Sequence, residues 1–247
     1  MRQIAANTSY HWKLGRDEVH VWTISLDQVR VSAGRLIRTL SARERNHAQR
    51  LRRIIDRWRY VRSHAAAREI LGGYLGVAPS KVAIHIDELG KPRIDSRRHS
   101  TTPSFSLSHS GDVALLAVGR CNVGIDVERE SSMVDCDAVV RCYFSPAEAA
   151  AYFSLPSQSR PRAFFAAWTL KEAYLKACGD GLSRRLDSFT VTMRPELPPR
   201  LHVEDGQRGA QARYRLMRLS PAYGYVASMA VAARKVRVRE RSWIGMF

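Results

Sequence analysis

Two short acidic motifs carry the first suggestion of chemistry in this chain: Val-Gly-Ile-Asp-Val-Glu at 123–128 and Trp-Thr-Leu-Lys-Glu-Ala-Tyr-Leu-Lys at 168–176. In the first, Val123, Ile125 and Val127 alternate with Gly124, Asp126 and Glu128. A strand of period two buries the aliphatic set and presents both carboxylates from its other face, a two-point claw for a cation. In the second, Glu172 and Lys176 stand four apart, so on a helix an acid and an ammonium share one stripe, with Trp168 one turn earlier as an aromatic wall. Hard divalent cations such as magnesium take oxygen ligands, keep several waters and bind through a few carboxylates plus substrate phosphates. That habit suits Asp126, Glu128 and Glu172 converging on one ion. Taken singly, each motif is ordinary: a Glu/Lys pair at this spacing is usual helix surface, and an amphipathic edge strand displays acids to water. Their joint occurrence, with the features below, favours the metal.

Further candidates for anion binding lie upstream. Lys91 sits between Gly90 and Pro92 in a rigid turn whose bare glycine lets a phosphate approach the backbone. Ser108 and His109 follow a short strand and offer a hydroxyl and an imidazole. Arg43, Arg45, His47, Arg50 and Arg59 line a basic helical region, where a merely solvated face is the competing explanation.

Several elements must position these groups. An alternating stretch at Val19 to Leu26 reads as a strand, followed by a long helical region from about Ala42 to Leu75. Ser41 and Glu44 spell a capping box at its start, and Gly72, Gly73 and Gly76 break it. Val82–Ile86, Phe105–Ser108 and Val113–Val118 are strand candidates, the last two separated by a Ser-His-Ser-Gly-Asp loop. The second half repeats this order: a strand at Val123–Val127, helices from Ser145 to about Cys178, a stop at Gly179-Asp180-Gly181, then a strand at Phe189–Met193. A shift of about 104 residues lays Ser41 and Glu44 on Ser145 and Glu148, and Leu71 on Leu175. The expected fold class is therefore α+β, a pseudo-two-fold pair of similar halves, residues 1–118 and 119–247, with the site at their interface. Pro195–Pro199 and Glu204–Gly209 read as loops, Tyr214–Leu219 and Gly224–Ala232 as closing strands, and Arg234–Arg241 as a solvated basic tail.

Composition narrows the partners. A formal net charge of +17, from 40 Lys plus Arg against 23 Asp plus Glu, attracts polyanions: nucleic acid, phosphate-rich metabolites or an acidic protein. Cys121, Cys136, Cys142 and Cys178 form neither a C-x-x-C pair nor a finger-like spacing with histidine, so reduced thiols are expected. Met1 to Trp22 is too polar for a signal peptide and no apolar run approaches bilayer length, so a cytoplasmic location with no membrane partner is expected.

Taken in order, Gly-Lys-Pro, Ser-Leu-Ser-His-Ser-Gly, Val-Gly-Ile-Asp-Val-Glu and Trp-Thr-Leu-Lys-Glu-Ala-Tyr-Leu-Lys, the chain resembles the 4'-phosphopantetheinyl transferases of the surfactin-synthetase-activating type from Leu40 to about Leu182. That resemblance implies a monomeric pseudo-dimer moving phosphopantetheine from coenzyme A to a serine of an acyl or peptidyl carrier protein, with release of adenosine 3',5'-bisphosphate. It implies magnesium on Asp126, Glu128 and Glu172, with Glu172 as general base and Lys176 neutralising or protonating the leaving bisphosphate. Lys91, Pro92, Ser108 and His109, with Arg45, His47, Arg59 and Lys176, would then hold coenzyme A. His47 and Ser106 depart from the Lys or Arg and the Asn common at those places, and Arg45 and Arg59 compensate. The basic balance acquires a partner in coenzyme A and an acidic carrier, and nucleic acid is not expected as one. The alternatives are a metal-dependent nuclease, which leaves the Gly-Lys-Pro and Ser-His elements without a role, and a nucleic-acid-binding module, which leaves the carboxylates unexplained.

Overall fold

The computed structural model describes residues 12–28, 31–131, 135–179, 184–203 and 213–244. The alternating stretch near the start forms β1 (Glu18–Ser25), and three helices follow: α1 (Ala33–Thr39), α2 (Ala42–Arg50) and α3 (Ile54–Leu75). Ser41 and Glu44 cap α2 reciprocally, each side chain satisfying the other residue's backbone N–H. The helical region expected to run unbroken from Ala42 to Leu75 is interrupted, because Leu51 and Arg53 are extended. Arg57 offsets the break by donating to the carbonyls of Gln49 and Leu51 that α2 leaves open. Gly72 and Gly73 lie within α3, and Gly76 alone, left-handed at φ +68°, ends it.

Short strands β2 (Ile84–Ile86) and β3 (Pro92–Ile94) make a hairpin, and β4 (Ser104–Ser110) and β5 (Val113–Gly119) make another. The Ser-His-Ser-Gly-Asp segment expected as a loop is mostly strand. Ser110 pairs with Val113 across a two-residue turn, with Gly111 supplying the positive φ at its first central position.

The chain then repeats itself. β6 (Val123–Arg129) is followed by α4 (Cys136–Tyr143), α5 (Pro146–Phe153) and α6 (Arg160–Cys178). Hairpins β7 (Phe189–Val191) with β8 (Leu201–Val203) and β9 (Arg215–Leu219) with β10 (Tyr225–Val231) complete the series. Sheet order is β1-β5-β4 in one series and β6-β10-β9 in the other, the same topology twice. Ser145 and Glu148 cap α5 as Ser41 and Glu44 cap α2, an offset of 104. The long helices match at 103, not 104: Gly76 and Gly179 are both left-handed caps, and Arg68 and Lys171 each grip the capping glutamate of their own half. One residue fewer separates the capped helix from the long one in the second series. The pairing of Leu71 with Leu175 is therefore one position out. The expected loop at Glu204–Gly209 and the stop residues Asp180 and Gly181 lie outside the described residues.

The segment expected as a solvated tail is in fact β11 (Arg237–Trp243), which pairs in parallel with β1 and returns the chain to the first sheet. Arg237 and Arg239 stand toward Glu18, and Trp243 enters the core beside Ile24 and Ile70. Alternation in Arg-Val-Arg-Glu-Arg-Ser-Trp was the available signal, and the charge of its exposed face concealed it. The architecture is α+β. Val19, Val21, Val113, Leu115 and Ala117 of the first sheet meet Val123, Ile125, Val127, Ala227 and Met229 of the second in one apolar layer. The long helices cover the outer faces, α3 over Trp22 and Leu116, and α6 against β6 and β10.

Candidate active site

A seam of serines joins the two sheets. Ser104, Ser106, Ser108 and Ser110, alternate residues of β4, accept from the backbone N–H of Val123, Ile125, Val127 and Arg129 at 3.4, 3.1, 3.4 and 3.0 Å. Hydroxyls stand in for the carbonyls of a missing sheet partner, so the β6 edge is satisfied without fusing the sheets. The same serines have protons left to give. Ser108 donates to Oδ1 of Asp126 at 2.8 Å, and Ser110 donates to Oε2 of Glu128 at 2.9 Å.

On its other face β6 meets α6. Gly124 permits this, since a Cβ there would overlap the backbone of Ala173 and Ala177. The close approach brings Lys176 to Asp126: its Nζ stands 2.6 Å from Oδ1 and 3.2 Å from the Ser108 hydroxyl. Asp126 is 3% exposed, and its second oxygen, Oδ2, is buried with no hydrogen-bond partner. Burial, then the charge of Asp126, pushes the Glu172 carboxyl above its ordinary value, and Glu128 is raised by the same causes in the same order. Three carboxylates thus crowd one ammonium. Among the described residues no group of three or more His, Cys, Asp or Glu side chains is already placed to hold a metal ion. An open set of carboxylates with an orphaned buried oxygen is nevertheless the donor chemistry of a magnesium ion that keeps its waters and takes its remaining ligands from a phosphate. Trp168 packs on Phe144 and Phe164 and steadies α6 from the far side.

A cleft of about 760 Å³ runs from Lys176 and Ser108 across the first half. His47 and His109 line it, and so do four residues the sequence reading did not single out: Tyr60, His64, Arg68 and His85. His47, Tyr60 and His64 form a stack with centroids 4.7 and 3.8 Å apart. The i,i+4 spacing of Tyr60 and His64 on a helix was the missed signal. Desolvation lowers the His64 pKa to about 4, while its Nδ1 lies 3.0 Å from the Tyr60 carbonyl. Desolvation and then Lys176 lower that of His109, so both imidazoles are neutral at pH 7. A smaller pocket of about 400 Å³, lined by Leu89, Pro92, Phe105, Leu107 and Glu172, opens on the other side of Lys176.

Two expected anion anchors point elsewhere. Lys91 borders the smaller pocket, yet it is 8% exposed and its ammonium donates to the carbonyls of Ala177 and Val123, which ties the Gly-Lys-Pro turn to the end of α6. Arg45 donates to the Leu40 carbonyl and so closes the end of α1. Arg59 faces Asp27 at 3.6 Å and still adds positive potential at His109. Only one half carries the acidic constellation. At the offsets above, Trp22 stands in place of Asp126 and Gly73 in place of Lys176, with Glu69 matching Glu172. Trp22 packs on Trp12 at 5.0 Å and donates to the Tyr74 hydroxyl, so no carboxylate stands at that corner in place of Asp126.

The family described as "ACPS: 4'-phosphopantetheinyl transferase superfamily" matches residues 122–230, from β6 through α6 to β10. Similar along most of its length is the 4'-phosphopantetheinyl transferase HetI of Nostoc sp., 36% identical over 217 residues, 87% of this chain and 88% of that one. The 4'-phosphopantetheinyl transferase psf-1 of Bacillus pumilus is 31% identical over 81% of this chain and 82% of its own. The 4'-phosphopantetheinyl transferase Sfp of Bacillus subtilis is 27% identical over 70% and 71%.

Proposed function

This chain belongs to the 4'-phosphopantetheinyl transferase family, and from its activity, transfer of phosphopantetheine from coenzyme A to carrier proteins, we propose how its own residues carry out the transfer. Asp126, Glu128 and Glu172 would hold magnesium, with coenzyme A phosphate oxygens and water completing the shell. When bound, the ion supplies positive charge to the pyrophosphate, which three carboxylates alone would repel. The observation that carries this reading is Asp126 Oδ2, a buried carboxylate oxygen left without a partner between two other acids.

Glu172 takes the proton from the carrier serine. Its carboxyl, raised first by burial and then by the charge of Asp126, is a stronger base than a solvated carboxylate. Lys176 commits two N–H groups to Asp126 and Ser108, and the third donates to the phosphate oxygens of the leaving group. Adenosine 3',5'-bisphosphate departs. His109 and His47 donate to the terminal phosphate of the nucleotide, with Arg43 and Arg59 supplying positive potential nearby. Ser108 acts on the substrate through Asp126 and Lys176, not by direct grip. The proposed enzyme is a monomer, a reading supported by Lys176 of the second half bordering a cleft otherwise lined by the first.

The direct test incubates the protein with coenzyme A, magnesium and an apo carrier, then weighs the carrier by mass spectrometry. Gain of phosphopantetheine that chelator abolishes and magnesium restores is the expected result. A gain unaffected by chelator overturns the metal assignment.

A further inference from the structure

The turn between β4 and β5 is held from both halves. Leu26 of the first half donates to the Asp112 carbonyl at 2.7 Å. Tyr225, the first residue of β10 in the second half, meets the rest of Asp112: its hydroxyl accepts from the Asp112 N–H at 3.1 Å and donates to the Asp112 carboxylate. That hydrogen bond holds the carboxyl below its ordinary range. Gly111 is pressed onto the same hydroxyl, since a Cβ there would overlap it and would also meet Arg129 Cδ at 3.2 Å. The contact joins residues 113 apart in the chain.

Next to that turn is Ser110, whose hydroxyl accepts from Arg129 N–H and donates to Glu128. Arg129 is in turn the register partner of Tyr225 across β6 and β10. Tyr225, the turn, Ser110 and Glu128 therefore form one closed circuit. We propose that Tyr225 is a positioning residue for the transfer reaction: by fixing the Gly111-Asp112 turn it sets where Ser110 stands and, through Ser110, where the Glu128 carboxylate points. This inference rests on the assignment of Glu128 to the metal site.

A tyrosine that only staples two halves together would affect stability alone. One that positions Glu128 affects metal affinity as well, because partners outside the ligand shell commonly change affinity by roughly 10- to 100-fold. The experiment is calorimetric titration of magnesium into the full chain saturated with coenzyme A, with thermal unfolding run in parallel. Ser110→Ala, which removes the hydrogen bond itself, is expected to weaken magnesium binding by about 10-fold or more. Tyr225→Phe removes one oxygen and keeps the ring; about a 3- to 10-fold weakening is expected, below that range because the contact is one step further out. In the Ser110→Ala background, Tyr225→Phe should weaken metal binding no further, since the path through Ser110 is already cut. A Tyr225→Phe chain with lowered Tm and wild-type metal affinity overturns the proposal, as does full additivity of the two variants. A wild-type chain that binds no magnesium overturns the metal assignment and the proposal with it, an outcome distinct from the other two.

Discussion

The ammonium of Lys176 lies 2.6 Å from Oδ1 of Asp126, fifty residues away, and leaves that aspartate's other oxygen bare. An ion pair of this kind balances half a carboxylate and leaves the remainder for another cation. Replacing Lys176 by Met removes the ammonium paired with Asp126, and the resulting repulsion among the acids is screened in part because the Lys176 side chain is 31% exposed. A loss of about 1–2 kcal/mol in apo stability is expected, with magnesium raising the Tm of the variant more than that of the wild type. Thermal unfolding with and without the ion measures both. Equal metal-induced shifts would show that the lysine and the ion do not share Asp126.

Glu172→Gln keeps shape and removes charge. As a general base its loss should lower kcat by roughly 10²- to 10⁴-fold. Because the folded-state pKa of Glu172 is raised, its ionisation destabilises the apo fold at neutral pH, and the amide should leave Tm unchanged or higher. A drop in activity that merely tracks a drop in Tm would sink the catalytic role.

Lys171, its neighbour in sequence, tests the opposite case. Its side chain is wholly buried, with Nζ 2.8 Å from Glu148 and bonded to the carbonyls of Leu186 and Phe189. Lys171→Met leaves the Glu148 charge buried and should cost roughly 3–5 kcal/mol. Urea unfolding reports that loss, while KM for coenzyme A at low temperature should be preserved.

Period two on β6 and an i,i+4 stripe on α6 are local rules, so motif spacing alone groups Asp126 with Glu128 and Glu172 with Lys176. What escaped was set by tertiary neighbours. Lys91 reads as a phosphate anchor in a Gly-Lys-Pro turn, yet the carbonyls awaiting it at Ala177 and Val123 lie far along the chain. The serine alternation of Ser104 to Ser110 is plain in the sequence, but its meaning depends on β6 lying alongside. Charge hid β11 in the same way, since only its pairing with β1 shows that the basic residues sit on a strand.

The cleft also predicts an acid limit. His64 is neutral when folded, with a pKa of about 4 against about 6.5 unfolded. A depressed base contributes stability that is whole above the unfolded pKa and is lost as pH falls from about 6.5 towards 4, here on the order of 3 kcal/mol. His20 and His109 are shifted in the same direction and add to the slope. Tm measured across this window should fall more steeply for the wild type than for His64→Gln. Parallel curves would mean that the stack around Tyr60 does not hold His64 neutral.

A net charge of +17 sets the last expectation. If the carrier is acidic around the modified serine, encounter is accelerated by attraction that acts beyond contact distance. At about 0.15 M salt the screening length is about 8 Å, so long-range steering fades while the 2.6 Å Lys176–Asp126 contact, far inside that length, is less affected. Raising salt from about 0.05 to about 0.3 M should therefore lower kcat/KM for the carrier by about 10-fold or more, with kcat at saturating carrier nearly constant. Steady-state kinetics over that range decides it: a carrier KM that does not move with salt would place the basic surface outside the encounter.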